Sequence, residues 1–95
     1  MEFEWHPQKA AANFRKHGVS FDEAAETFYD SFAIDDLDDK HSANQERRFT
    51  LIGMSSARLL FVVYTLRSEE RIRIISARRA TPPETKIYEY ANKKG

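Results

Sequence analysis

Near residue 30 the hydrophobic period of this chain changes from that of a helix to that of a strand, and the new period holds until about residue 80. Upstream, Phe21, Ala24, Ala25 and Phe28 recur at i, i+3, i+4 and i+7, the stripe of an amphipathic helix. Ser20-Phe21-Asp22-Glu23 opens it as a capping box, with Ser20 as cap and Glu23 reaching back. Before that, Pro7 suits a first helical residue and Gly18 a left-handed stop, so another helix is predicted from Pro7 to about His17. A short strand is expected ahead of it at Glu2–Trp5. Downstream, Phe32–Leu37 reads as a weak strand and Asp38 to Gln45 as a polar connection. Arg47–Gly53 alternates. Arg58–Leu66 is apolar on both faces through its middle, as a central strand should be. Ser68-Glu69-Glu70 turns the chain into Arg71-Ile72-Arg73-Ile74, arginines to one face and isoleucines to the other. Thr81-Pro82-Pro83-Glu84 then starts a last helix running to about Lys93, with Ile87, Tyr90 and Ala91 expected toward the core. The layout is β-α-α-β-β-β-β-α. A short N-terminal strand, two helices, an antiparallel meander and a closing helix make an α+β fold.

Ninety-five residues, 41% of them hydrophobic, suffice for one core, so residues 1–95 are expected to form a single domain. The absence of cysteine removes disulfides, thiolate metal sites and a cysteine nucleophile. The charged start lacks an apolar leader, and the longest apolar run, Leu59 to Tyr64, is too short to cross a bilayer. A cytoplasmic protein with no membrane partner is the expectation. Neither a metal nor another cofactor is expected. His6, His17 and His41 lack ligand spacing, and Asp35, Asp36, Asp38 and Asp39 lack the glycine and closing glutamate of a calcium loop. Ser76 has no nucleophile elbow around it.

The net charge is zero but segregated. Residues 1–21 carry +1, residues 22–46 carry −8 and residues 47–95 carry +7. Residues 47–79 contain eight arginines and no lysine. Solubility alone does not require that preference, whereas the planar fork of guanidinium suits phosphate or carboxylate.

Several segments carry a resemblance. Phe3-Glu4-Trp5, Lys9 and Asn13, Lys16-His17-Gly18-Val19-Ser20-Phe21, Glu46-Arg47-Arg48, and Arg71 to Thr81 (RIRIISARRAT) are similar, in that order, to the BrnT toxins. The resemblance implies a RelE-like fold and a metal-independent endoribonuclease that inhibits translation and growth. It also implies an RNA substrate and a BrnA-type ribbon-helix-helix antitoxin, through which alone the toxin would meet DNA. Two positions depart from the pattern: His6 stands where the family usually has an aspartate N-cap, and Ala57 where glycine is common.

Cleavage of RNA by its own 2′-hydroxyl needs a proton acceptor, a counter-charge for the phosphorane and a proton donor for the leaving oxygen. The candidate catalytic residues are His17, Lys16, Glu46, Arg71, Arg73, Arg78 and Tyr88, with Lys9, Arg47, Arg48 and Arg79 as RNA contacts. Each has a plainer reading beside it. His17 can instead complement a helix dipole, and Glu46 can pair with a neighbouring arginine. Arg71 and Arg73 can line a solvated face, and Tyr88 can sit at a core edge. Of Arg78 and Arg79, which straddle a strand end, at most one is expected in the site. The alternative to an enzyme is a non-catalytic module that docks a protein or nucleic acid on its basic face.

Overall fold

The computed structural model describes residues 1–43 and 46–93. Its elements are β1 (Glu2–Glu4), α1 (Pro7–His17), α2 (Phe21–Glu26) with a 3₁₀ turn at Thr27–Tyr29, β2 (Ile34–Ala43), β3 (Glu46–Met54), β4 (Leu59–Leu66), β5 (Arg71–Arg79) and α3 (Pro82–Lys93). They follow the expected α+β order. The strands form one sheet, β1-β5-β4-β3-β2, in which β1 runs parallel to β5 and every other pair is antiparallel. The strand apolar on both faces, β4, is the central one.

The helical N-terminal third packs on one face of this sheet. Val19, Phe21 and Ala24 meet Leu51 of β3, Leu60, Val62 and Tyr64 of β4, and Ile72, Ile74 and Ala77 of β5 in one core. An aromatic string seals its lower end: Phe28 lies 4.9 Å from Tyr64 and 5.2 Å from Phe3, and Phe49 stacks on Tyr64 at 5.5 Å. Gly53 lets β3 pass close under the 3₁₀ turn, since a Cβ there would lie 3.0 Å from both the Cβ and the carbonyl oxygen of Thr27.

Two expectations are corrected. The segment from Asp38 is not a polar connection but the continuation of β2 to Ala43, while Gln45 falls outside the described residues. An edge strand buries little, so aspartates are tolerated where the backbone can still pair with β3. Where the register slips, Ser42 fills the gap by donating to the Asp38 carbonyl at 2.7 Å and accepting from the Arg48 amide at 3.0 Å. In α3 the inward face is Glu84, Thr85, Tyr88 and Asn92, whereas Ile87 and Tyr90 are 52% and 63% exposed. Polar anchors decide that rotation: Arg78 holds Glu84 through two bonds of 2.9 Å, Tyr88 donates to Asp30 at 2.7 Å, and Asn92 donates to the Phe32 carbonyl at 3.1 Å. α3 contacts β3, where Ile52 is buried on the side of the strand opposite Leu51.

Candidate functional site

The site begins with the placement of α1. His6 caps its start, its Nδ1 accepting from the Gln8 amide at 3.2 Å. Gly18 ends it at φ 69°, a left-handed conformation that glycine enters without a Cβ penalty. Between them Asn13, only 8% exposed, ties the helix to the sheet. Its amide donates to the Ala77 carbonyl at 2.8 Å and to the Val19 carbonyl at 3.0 Å, and accepts from the Ala77 N–H at 3.1 Å. β1 pairs with β5 only as far as Arg73, so the Asn13 side chain takes the place a further strand would have on that edge. Lys9, Lys16 and His17 stand four before, three after and four after Asn13, which puts them on the same side of the helix.

β5 supplies the opposing wall through an irregularity. Val63 pairs with Ser76 but Tyr64 with Ile74, so Ile75 is an extra residue in the ladder. Such a bulge reverses the alternation beyond it. Ala77 therefore enters the core, while Ser76 and Arg78 turn to the outer face, the one also carrying Arg71 and Arg73. Between α1 and this segment lies an open cleft of about 350 Å³, lined by Lys9, Ala12, Asn13, Lys16, His17, Arg48, Ile75 and Ser76. Among the described residues, Lys9, Lys16 and His17 have no hydrogen-bond or ion-pair partner on their side chains. Arg48 is half-buried, and its Nε donates to Glu46 at 3.3 Å. Four cationic or protonatable groups thus converge, with one carboxylate beside them, an arrangement suited to a phosphodiester and to moving a proton near it.

The other expected residues lie elsewhere. Arg71 and Arg73 share the outer face but are engaged by β1: Arg71 donates to Glu2 at 2.7 Å, and Arg73 to Glu4 at 2.7 Å. The Arg73 hydrogen bond is the main reason the Glu4 carboxyl lies below its ordinary pKa. Arg78 is a structural tie. It grips Glu84 and stacks 4.2 Å above the Phe61 ring, and the Glu84 hydrogen bond raises its pKa further. Tyr88 is likewise an anchor. Burial first, then its bond to Asp30, pushes the phenol up to about 12, far from the range of a neutral-pH acid or base. Arg79 is exposed at the end of β5. Arg47 is exposed beside a separate hollow formed with Phe49, Thr65 and Leu66.

Three contributors were missed in the sequence. Asn13 carries the resemblance in sequence but is not among the candidate site residues there, and it is buried. Ser76 lines the cleft because of the bulge, which the doubled isoleucine at 74–75 signals. Arg58 grips Glu23 at 2.9 and 3.0 Å and donates to the Gly18 carbonyl at 2.8 Å, fixing the corner that follows His17. That grip is the leading cause of the lowered Glu23 pKa.

A sequence model described as the ribonuclease toxin BrnT of type II toxin–antitoxin systems matches residues 5–84, a span that contains the whole cleft. No curated protein matches the chain. Among solved structures, the Brucella abortus ribonuclease toxin BrnT superposes with a TM-score of 0.61 over 85% of this chain and 97% of that one. At 20% identity this likeness speaks for the fold. With the match extending from the residue after β1 into the first turn of α3, the chain belongs to the BrnT family of ribonuclease toxins of type II toxin–antitoxin systems.

Proposed function

We propose that this chain is a metal-independent endoribonuclease that cleaves RNA by attack of the 2′-hydroxyl, with the α1–β5 cleft as its active site. The observation that carries the reading is the convergence of unpaired Lys9, Lys16 and His17 with Arg48 over Ser76. In this reading the cations hold the scissile phosphate and stabilise the dianionic phosphorane. His17 has the side chain best suited to exchanging a proton near neutral pH. Glu46, next to Arg48, either takes the 2′ proton or holds the guanidinium in place. Ser76 offers a hydroxyl to a non-bridging oxygen. A wall of cations disfavours a bound metal ion by simple repulsion, which supports a metal-free mechanism.

The family supplies the setting: an antitoxin partner and an RNA target. We read the antitoxin as a BrnA-type ribbon-helix-helix protein that covers the outer face, the site of action as the cytoplasm, and the outcome as blocked translation and growth. DNA contact would come through the antitoxin alone. The test is purified protein in excess chelator with RNA, DNA of the same sequence, and 2′-O-methyl RNA. Cleavage of RNA alone is expected, because the other two lack a free 2′-hydroxyl. Cleavage of DNA, or its loss on chelation, overturns the mechanism. Binding to RNA without cleavage would fit a docking module instead.

A further inference from the structure

On the outer face of the sheet one row crosses all five strands, since Asp38, Arg48, Thr65, Arg73 and Glu4 are register neighbours. Arg48 borders the cleft. Arg73 lies two strands away, about 10 Å by the ordinary strand spacing. Beyond it, three arginines close around one carboxylate: Glu4 is 2.7 Å from Arg73, 3.5 Å from Arg71 and 3.9 Å from Arg67. Glu2 takes the other side of Arg71 at 2.7 Å. Three guanidinium groups therefore share two carboxylates, leaving one positive charge in excess. The arginine side chains remain 42–50% exposed. Both carboxylates come from β1, a three-residue edge strand with β5 as its neighbour. A guanidinium fork that fits a carboxylate fits a phosphate by the same two parallel bonds.

We propose that Arg67, Arg71 and Arg73 form a backbone-phosphate site continuous with the cleft, which Glu2 and Glu4 occupy as a built-in competitor until an RNA strand displaces them. This inference rests on the ribonuclease reading of the cleft and deepens it. The scissile phosphate sits at Arg48 and the α1 cations, and a neighbouring stretch of the same strand exchanges for the β1 carboxylates. RNA that reaches the cleft alone is unaffected by this competition, whereas a strand long enough to reach the arginines gains their contacts less the cost of displacing the carboxylates.

The experiment measures binding of a 2′-O-methyl RNA oligonucleotide, which is not cleaved, as a function of salt. Glu2→Gln/Glu4→Gln removes the charge and keeps the side-chain shape. Exposed ion pairs are individually weak, so removing the two carboxylates and their four pairs is expected to tighten binding by about three- to tenfold at low salt. The slope of log affinity against log salt should steepen by about one to two as further phosphates become engaged. Placed on Arg71→Ala/Arg73→Ala, the same two substitutions should leave binding unchanged. A ladder serving only to hold the sheet edge would give lower melting temperature and no gain in affinity. Unchanged or weaker binding by folded Glu2→Gln/Glu4→Gln overturns the inference, as does an equal gain without the arginines, which would be a bulk charge effect. Wild-type protein that cleaves RNA while showing either result loses this inference alone. If neither wild type nor any variant binds or cleaves RNA, the ribonuclease reading fails and this one with it.

Discussion

Replacing Asn13 with alanine tests how the cleft is held together. The substitution removes three hydrogen bonds and leaves the Ala77 N–H, the Ala77 carbonyl and the Val19 carbonyl without those partners in a buried place. At about 1 kcal/mol for each neutral bond, the cost is about 3 kcal/mol, before any charge for stranded polar groups. In a domain of this length 1 kcal/mol moves the melting temperature by about 4–8 °C, so Asn13→Ala should melt roughly 12–24 °C below wild type. Asn13→Asp keeps the shape and one acceptor, but points a carboxylate at two carbonyl oxygens. It should be at least as damaging at neutral pH. Those carbonyls favour the protonated form, so the folded pKa of that carboxyl lies above its unfolded value of about 3.9. Its deficit is therefore full above the raised folded value and shrinks as pH falls toward the unfolded one. Thermal unfolding followed by circular dichroism at several pH values measures both effects. An Asn13→Ala protein melting within about 4 °C of wild type, or an Asp variant milder than Ala at neutral pH, would refute the account.

At the cleft, Lys16→Ala and His17→Ala should each lower RNA cleavage by about tenfold or more with little change in melting, read from initial rates on one oligonucleotide. Lys9→Ala/Lys16→Ala should also flatten the salt dependence of RNA binding by about one to two in slope, measured by titration. Tyr88→Phe loses the bond to Asp30 and should cost about 1–3 kcal/mol of stability while cleavage persists below the melting range; a collapse of activity in a folded variant would return Tyr88 to the chemistry. Its phenol is raised to about 12, so the stability it contributes is intact below its unfolded pKa of about 10 and lost as pH rises through the folded value. The Arg58 grip holds the Glu23 carboxyl, and the Arg78 grip, against burial, the Glu84 carboxyl, below the ordinary glutamate value of about 4.3. Their contribution is present above that value and lost as pH falls through the folded ones, so Glu23→Gln/Glu84→Gln should flatten the acid limb of a melting-temperature profile.

Local chemistry made the elements readable and long-range pairing hid the site. Ser20 with Glu23 and Thr81 with Glu84 each mark a helix start, Pro7 and Gly18 mark the two ends of α1, and all of them act within one turn and bound helices where they were expected. β4 was legible as central because only a strand with neighbours on both sides can bury two apolar faces. The partners of Arg71 and Arg73 were not legible. They come from Glu2 and Glu4, nearly seventy positions earlier, and the pairing is visible only once β1 is known to run parallel to β5. The face of α3 was misread for a related reason. Hydrophobicity favoured Ile87 and Tyr90, but Asp30 and Arg78, distant in sequence or on another element, hold the polar side inward. At the cleft, Lys9, Lys16 and His17 could be grouped from helical spacing. Arg48 and Ser76 joined them through sheet register and a bulge, neither of which a single segment reveals.

Among the described residues β2 is the last strand on its side of the sheet, and its outer row of backbone donors and acceptors faces no further strand. Such rims invite pairing with another copy and grow into aggregates when they are flat and apolar. Asp35, Asp36, Asp38 and Asp39 lie along this one, so two copies approaching rim to rim bring like charges together. On the other side of the sheet β1 covers β5 only as far as Arg73, and beyond it the amide of Asn13 already consumes both backbone groups of Ala77. The aspartates of β2 thus work against edge-to-edge pairing of copies at this rim, while the sheet keeps its basic face open.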